Sequence, residues 1–302
     1  MIELKCKTCG GTIRFKQGET IGVCDSCGTK KSLPRLDDEK LKTQFGKGKM
    51  VNEKTVRRKK FKKIAAVAAL IICMCIVFFV LLTNVIVPSL KHKALCLKLN
   101  SLNVGDVVEF GKYEQDNNTS NGKEDIEWNV LAKEDNRVLL ISKYALDCKQ
   151  YNSTYTDVTW ETCSLRQWLN GTFLNDAFSA EEQSLIQDTY VSADVYPEYD
   201  TNPVNATTDK VFLLSDNGVN KYFGSDEDRK CIPTEYAKAN GAYISSSHTK
   251  NGVPTSRWWL RSFGPYQRTG VHVDIDGSVS FSGDDVILYY DCVRPAVWVS
   301  IK

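Results

Sequence analysis

The stretch Ile64–Val87, IAAVAALIICMCIVFFVLLTNVIV, runs for 24 residues without a charge. A helix rising about 1.5 Å per residue would cover about 36 Å over that length, enough to cross a hydrocarbon core of about 30 Å. The stretch therefore predicts a transmembrane helix over residues 64–87. A cleaved signal peptide would place an apolar core of about 7 to 15 residues near the start of the chain, before a small-residue cleavage site, and this sequence has neither. A lipoprotein site at Cys96 is argued against by the bulky Leu95 in front of it. Cys73 and Cys75 inside the stretch read as apolar packing residues.

Working outward, the charge divides at this helix. The 302 residues carry 39 Lys and Arg against 37 Asp and Glu, a net of +2, but residues 1–63 hold 18 against 7 and residues 88–302 hold 21 against 30. Such a split implies two compartments, and it excludes a fully disordered chain, a fibrous repeat and a soluble enzyme with nucleic-acid-like overall charge. Arg57, Arg58, Lys59, Lys60, Lys62 and Lys63 directly precede the helix, whereas only Lys91, Lys93 and Lys98 closely follow it. Basic flanks stay in the cytoplasm. The expected topology is thus a single pass through the cell membrane, with the amino terminus cytoplasmic and residues 98–302 extracytoplasmic. Pro88 is expected to end the helix. Residues 34–63, polar and Lys-rich with Gly46 and Gly48, predict a basic linker drawn to anionic lipid, by about 1 kcal/mol per basic residue near the surface. Lipid is the expected contact of that run, and nucleic acid is not.

Before the linker, Cys6-Lys7-Thr8-Cys9-Gly10 and Cys24-Asp25-Ser26-Cys27-Gly28 repeat a C-x2-C pair across 14 intervening residues. Two residues between thiols let one tight turn aim both sulfurs at one ion, and the following Gly frees local amides toward the thiolates. Thr12-Ile13-Arg14-Phe15 and Ile21-Gly22-Val23 read as short strands around a Gln17-Gly18-Glu19 turn. Cys6, Cys9, Cys24 and Cys27 are therefore the expected ligands of a structural Zn2+, and the segment resembles the zinc ribbon family over residues 1–33. A pair of disulfides is the rival reading, which a reducing cytoplasm disfavours. With so few apolar residues, the segment needs metal to fold; zinc ribbons bind nucleic acid, protein or nothing beyond their own fold, and a cytoplasmic protein is the partner allowed for here.

All six Trp and all thirteen Tyr follow Leu102, enough aromatic surface for one substantial core. Asp106–Gly111, Glu127–Leu131 and Arg137–Ser142 read as an antiparallel meander with Asp135-Asn136 as its second turn. Thr159–Gly171 reads as an amphipathic helix stopped by Asn170-Gly171. Ser179-Ala180-Glu181-Glu182 is a capping box. Val211–Leu214 is a strand, Pro233–Ala239 a short helix, and Trp258–Ser262, Gly270–Ile275, Ser278–Ser282 and Val293–Ile301 are late strands. The fold class is α+β: a small ribbon, one transmembrane helix, and a C-terminal domain of short antiparallel strands with two or three helices.

Gly105-Asp106, Phe110-Gly111-Lys112-Tyr113, Glu127-Trp128-Asn129-Val130-Leu131, Ser164-Leu165-Arg166-Gln167-Trp168-Leu169-Asn170, Trp258-Trp259-Leu260-Arg261-Ser262 and Val293-Arg294-Pro295-Ala296 carry a resemblance. Together they look like an uncharacterised bacterial domain family related to the C-type lectin-like fold of formylglycine-generating enzymes, the sulfatase-modifying factors, and of the variable binding proteins of diversity-generating retroelements. The resemblance implies a lectin-like outer domain over residues 98–302, and the fold carries both enzymes and binders. A formylglycine-generating-type oxidase would need a reactive cysteine pair and a metal near the end of the chain. Cys292 is there, with Cys148, Cys163 or Cys231 as partner, but the simpler reading is that these four form one or two disulfides or stay as buried thiols. Cys96 is left over, available for an intermolecular bridge.

Other chemistry is sparse. Among three histidines, His92 is juxtamembrane, His248 lies in a Ser-rich stretch read as a loop, and His272 sits on a strand. No catalytic residue is assigned, and the reading leans away from an enzyme. Asp274-Ile275-Asp276-Gly277-Ser278 has part of a calcium-loop pattern but sits where a hairpin turn is expected, so Ca2+ is not expected in the outer domain. Trp128, Arg166, Trp168, Trp259, Arg261 and Arg294 are expected to be structural, and of the adjacent Trp258 and Trp259 only one should face the core. The stretch Phe263–Tyr290 is rich in Tyr, Ser and Arg, the residues of adaptable recognition surfaces, and nominates Tyr266, Arg268, His272, Asp274, Tyr289 and Tyr290 as ligand contacts; the same pattern equally fits hairpin faces exposed to water. The function expected is binding of an extracellular protein or glycan, in adhesion or sensing, by a membrane-anchored bacterial surface protein. An oxidase on the same fold and a structural envelope protein are the alternatives.

Overall fold

A computed structural model describes residues 2–32, 53–193 and 205–302. The chain divides into two compact units at Ile76/Val77. Most of the segment read as a linker lies outside the described residues, but its last part, from Glu53, is already helical.

In the first unit, β1 (Ile2–Lys5), β2 (Thr12–Phe15), β3 (Ile21–Cys24) and β4 (Lys30–Ser32) form one antiparallel sheet in chain order. Among the described residues its buried core is Cys6, Ile13, Phe15 and Cys24, with Leu4 packed against it. Four side chains cannot offset the ordering entropy of some thirty residues at about 1 to 2 kcal/mol each.

Glu53–Leu81 is one helix, and its apolar window, with none of it buried, is long and apolar enough to cross a membrane. Pro88 does not end helical structure as expected. A π turn over Leu82–Ile86 leads into a further helix, Val87–Ser101, with Pro88 in its first turn. The π turn is the local adjustment that accommodates the proline within continuous helical backbone: Ile86 and Val87 keep right-handed helical dihedrals, and Val87 N–H donates to Leu82 O. Leu99 is fully buried in the second unit's core and Cys96 nearly so. Lys133 Nζ donates to the carbonyls of Asn100 (2.6 Å) and Leu102 (2.9 Å), satisfying the helix end.

The second unit holds two five-stranded sheets. The meander β5 (Val107–Tyr113), β6 (Glu124–Glu134) and β7 (Arg137–Ser142) forms with the turn expected. It joins β11 (Val211–Phe212) and β18 (Ala296–Ser300) in the order β11-β18-β7-β6-β5. The other sheet runs β16-β15-β14-β17-β8, from β8 (Asp147–Cys148), β14 (Trp258–Phe263), β15 (Thr269–Val273), β16 (Val279–Asp285) and β17 (Cys292–Val293). Among the described residues two ribbons complete the strands: β9 (Thr189–Val191) with β10 (Thr207–Asp209), and β12 (Ile244–Lys250) with β13 (Val253–Ser256).

The late strand expected over Val293–Ile301 is broken at Arg294-Pro295, where the chain leaves one sheet for the other. A second crossing, from β7 to β8, runs beside it: Ser142 N–H donates to Pro295 O and Leu146 N–H to Val293 O. Neighbouring strands thus change sheets together. Trp258 and Trp259 are both fully buried, contrary to the expectation of one outward side chain, because their sheet is covered on both faces. Each indole N–H has an acceptor, Arg229 O at 3.1 Å and Lys149 O at 2.8 Å.

The helix expected from Thr159 begins instead at Ser164, and Asn170-Gly171 lies in a π turn (Leu169–Phe173) that continues into Leu174–Ala177. Tertiary bonds explain why Asn170 does not stop it: its amide donates to Val211 O and accepts from the N–H groups of Lys210 and Val211. The Ser179 capping box forms as read, opening helix Ala180–Leu185. Helix Glu235–Ala239 is capped by Thr234; Asp216–Tyr222 and Asp226–Arg229 are further short helices that the sequence reading did not contain.

Arg166 docks its helix through a buried carboxylate. Its Nε lies 2.6 Å from Asp209 Oδ1, while Asp209 Oδ2 accepts from Trp160 Nε1 (2.9 Å) and Thr207 Oγ1 (2.6 Å). Removing one partner of a buried pair leaves the other charge uncompensated, at a cost of about 3 to 5 kcal/mol. Asp209→Ala is expected to lose stability of that order in urea titration of the full chain followed by tryptophan fluorescence; a loss below about 1 kcal/mol, the range of exposed pairs, would show the network to be peripheral.

Candidate functional site

Two turns bring the four amino-terminal thiols together. In the first, Cys6 N–H donates to Gly11 O (2.7 Å) and Gly10 N–H to Cys6 O (2.9 Å); in the second, Cys24 N–H donates to Thr29 O (2.9 Å) and Gly28 N–H to Cys24 O (3.1 Å). An 18-residue offset carries each bond onto its counterpart. Gly10 and Gly28 take φ of 75° and 71°, the left-handed conformation their position after each second Cys suggests. Cys6 and Cys27 Sγ lie 3.7 Å apart, Cys9 and Cys24 Sγ 3.6 Å, and all four within 4.8 Å of one another. Sulfurs about 2.3 Å from a shared ion at tetrahedral corners would lie about 3.8 Å apart, so the thiols fit a single metal ion. The amides of Thr8 and Cys9 lower the Cys6 thiol to about 6, toward the metal-binding thiolate form.

A second cluster is built where β14, β15 and β16 run side by side. Arg257, just before β14, donates Nε to Asp274 Oδ1 and Nη1 to Asp284 Oδ2, both at 3.0 Å. Its guanidinium lies 4.5 Å from the Tyr243 ring centre, and Tyr243, Tyr290 and Tyr289 follow one another at 6.1 and 6.2 Å. His272, opposite Trp259 on the neighbouring strand, has Nδ1 3.9 Å from Asp284 Oδ2. Asp291 completes a group with His272 and Asp284 whose ligand atoms lie within 4.8 Å of one another. Burial holds His272 below its usual pKa and raises Asp291 well above the carboxylate range.

Asp284 reaches His272 because of a bulge. Gly270 pairs with Asp284 but His272 with Ser280, so two steps along β15 face four along β16. Gly283 makes the bulge possible: its φ is 66°, and a Cβ there would lie 2.7 Å from Gly270 O.

The nominated ligand contacts separate into two groups. His272 and Asp274 touch or adjoin Arg257, and Tyr290 and Tyr289 extend from Tyr243. Tyr266 and Arg268, with the guanidinium 4.9 Å from the Tyr266 ring centre and 5.9 Å from that of Tyr155, sit at the β14–β15 turn, the opposite end of β15 from Asp274. Asp274–Ser278 is the hairpin turn expected, with Asp276 Oδ1 accepting from Ser278 N–H and Oγ. His248 is on strand β12 and not in a loop. Of the residues expected to be structural, Trp128 donates to Phe110 O at 2.6 Å, Arg261 reaches Ser192 O at 3.3 Å, and Trp168 carries Lys149 Nζ over its ring at 4.6 Å. Arg257, Tyr243, Asp284 and Asp291 are not among the nominated residues. Arg257 directly precedes the quoted Trp258-Trp259 motif, the one sequence signal that could have drawn attention to it.

The cysteines sort themselves by topology. Cys148 on β8 and Cys292 on β17 are direct partners, with Sγ atoms 3.0 Å apart. Cys163 is buried in another part of the core, accepts from Arg166 N–H as a helix cap, and is pushed up to about 12 by burial. Burial likewise raises Cys231, and Cys292 well above its ordinary range. Cys96 packs in the core at 9% exposure, which corrects the expectation that it was available for an intermolecular bridge. Facing antiparallel residues have Cα atoms about 4.5 to 5.5 Å apart, inside the range a disulfide spans. Treating the full chain with glutathione disulfide, which takes up the two electrons as the thiols lose their protons, is expected to yield a Cys148–Cys292 cross-link in peptide mapping. A cross-link of Cys231 or Cys163 in its place would contradict this pairing.

No curated protein and no solved structure matches the chain. A family described as a domain of unknown function matches residues 135–301, more than half of the sequence and most of the second unit. The chain belongs to this family, DUF6273.

Proposed function

We propose that the protein is a single-pass membrane protein whose extracytoplasmic domain binds a protein or glycan ligand, with a structural zinc ribbon on the cytoplasmic side. The anchoring rests on the uncharged helix, and the orientation on the six basic residues from Arg57 to Lys63 before it. Zinc is the ion that four thiolates at these separations suit best. The outer domain is read as related to the C-type lectin-like fold, a reading supported by the consistent order of the motifs quoted above.

The observation that carries the binding role is the row Tyr243, Tyr290 and Tyr289 beside Arg257 and Asp274. Tyr289 is 64% exposed, and rigid aromatic surface next to charge is what recognition sites use. The Cys148–Cys292 pair favours one second reading, an oxidase of the formylglycine-generating type. Both thiols are buried and Cys292 resists ionisation, which suits a structural pair better than a reactive one.

Three measurements test the proposal. Protease added to right-side-out vesicles is expected to cut residues 98–302 and spare the amino terminus; the reverse pattern would overturn the orientation. Cys24→Ser should lose the ribbon's zinc and leave residues 2–32 protease-sensitive, whereas unchanged zinc content would reject that site. Full chain in detergent, applied to a glycan array and to a panel of envelope proteins, should show selective binding that Tyr289→Ala weakens by about tenfold or more. Retained copper with Cys292-dependent oxidation of a substrate thiol, and no such binding, would favour the oxidase.

A further inference from the structure

We infer that His272, Asp284 and Asp291 form a binding site for a divalent transition-metal cation. His272 is 2% exposed and Asp291 fully buried, yet neither imidazole nitrogen and neither Asp291 oxygen has a hydrogen-bond partner. Buried polar atoms are almost always satisfied, and leaving one carboxylate and one imidazole unpaired side by side is costly. A cation between them would supply the missing partner to both.

The spacing agrees. His272 Nδ1 and Asp284 Oδ2 at 3.9 Å are too far apart for a hydrogen bond. Donors each about 2.1 Å from a common ion lie about 3 to 4 Å apart. The charge agrees as well: Asp274 and Asp284 both bind the one guanidinium, Arg257, so the buried Asp291 beside them has no cation of its own, and a divalent ion would supply one. One imidazole with two carboxylates suits Zn2+, Mn2+ or Fe2+; calcium takes six to eight oxygens. Three protein donors leave coordination positions open, and the partly exposed Asp284 gives access to them.

The contrast with Glu114, Asp116 and Glu124, which also converge, sharpens the assignment. There the carboxylates already accept bonds from their own loop: Glu114 from Asn118 N–H, Glu124 from Gln115 and Asp116 N–H, and Asp116 from Asn118 N–H and the Asn121 amide. None of these three residues has a buried side-chain oxygen left without a partner.

The test uses the full chain in detergent, stripped of metal and titrated with Mn2+, followed by electron paramagnetic resonance. Mn2+ prefers carboxylate and avoids the thiolates of the amino-terminal cluster. One Mn2+ per wild-type chain is expected, with affinity falling about tenfold or more in Asp291→Asn and in His272→Gln, since even outer-shell changes cost that much. Zn2+ loading measured in parallel should fall by one ion per chain in either variant. Absence of Mn2+ and Zn2+ binding in the wild type, beyond zinc removable by Cys24→Ser, overturns the site and leaves Asp284 and Asp291 sharing a proton. Binding that both folded variants retain also overturns it, by placing the ion elsewhere. If a variant does not fold, the wild-type stoichiometry alone decides.

Discussion

The second unit depends on how it holds Arg294. This residue is 1% exposed and occupies the point where β17 gives way to β18, so its backbone belongs to the passage between sheets. Its Nε donates to Ser142 O at the end of β7 and its Nη1 to Arg229 O, while the guanidinium lies 4.9 Å from the Trp258 ring centre and 5.3 Å from that of Phe223. One side chain therefore ties the β7 end of one sheet to the β14 indole of the other. Burial pulls its pKa down, but a guanidinium does not give up its proton in a protein, and carbonyl oxygens with aromatic faces are its partners here. Pro295 follows with its φ fixed by the ring, and its carbonyl accepts from Ser142 N–H at 2.9 Å.

How far the sequence could be read follows from which forces are local. The C-x2-C-G repeat, the Ser179–Glu182 capping box and the strand Arg137–Ser142 are each determined within a few residues, and all three appear in the structure as read. The misreadings of Asn170-Gly171 and of the Trp pair involve long-range partners, and that of Pro88 a local one. Asn170-Gly171 carries a stop signal, yet Val211 and Lys210, some forty residues later, recruit the Asn side chain into the helix's own docking. Pro88 is a helix breaker only where an amide is needed, and a preceding π turn removes that need. Trp258 and Trp259 alternate as any strand does, but a sheet covered on both faces buries both.

The cluster around Arg257 was legible by composition and not by geometry. His272, Asp274, Tyr289 and Tyr290 were nominated because the stretch is rich in recognition residues. Tyr266 and Arg268 satisfied the same criterion and lie at the other end of β15. What separates the two groups is strand direction, which pairing decides. Asp284 beside His272 is a product of the Gly283 bulge, and Asp291 joins them from the segment entering β17. The bulge has no signature in a lone glycine, so no spacing rule could have brought these three residues together.

The same long-range logic bears on what the folding unit is. The family match begins at Asp135, in the turn between β6 and β7. Before that point the chain supplies β5, β6 and the helix Val87–Ser101, and Ile126, Trp128, Val130 and Leu99 are buried in the same core as β7 and β18. Without β6, β7 would present an open edge beside an apolar face, the arrangement that invites strand pairing between molecules. The chain's end closes on this region too: Ile301 is buried, and the Cys96 thiol approaches Lys302 O at 4.0 Å. The helix that leaves the apolar span and the last strand are therefore parts of one packed unit. Residues 135–301 recur as a sequence, but the helix and the two strands before them are what complete their core.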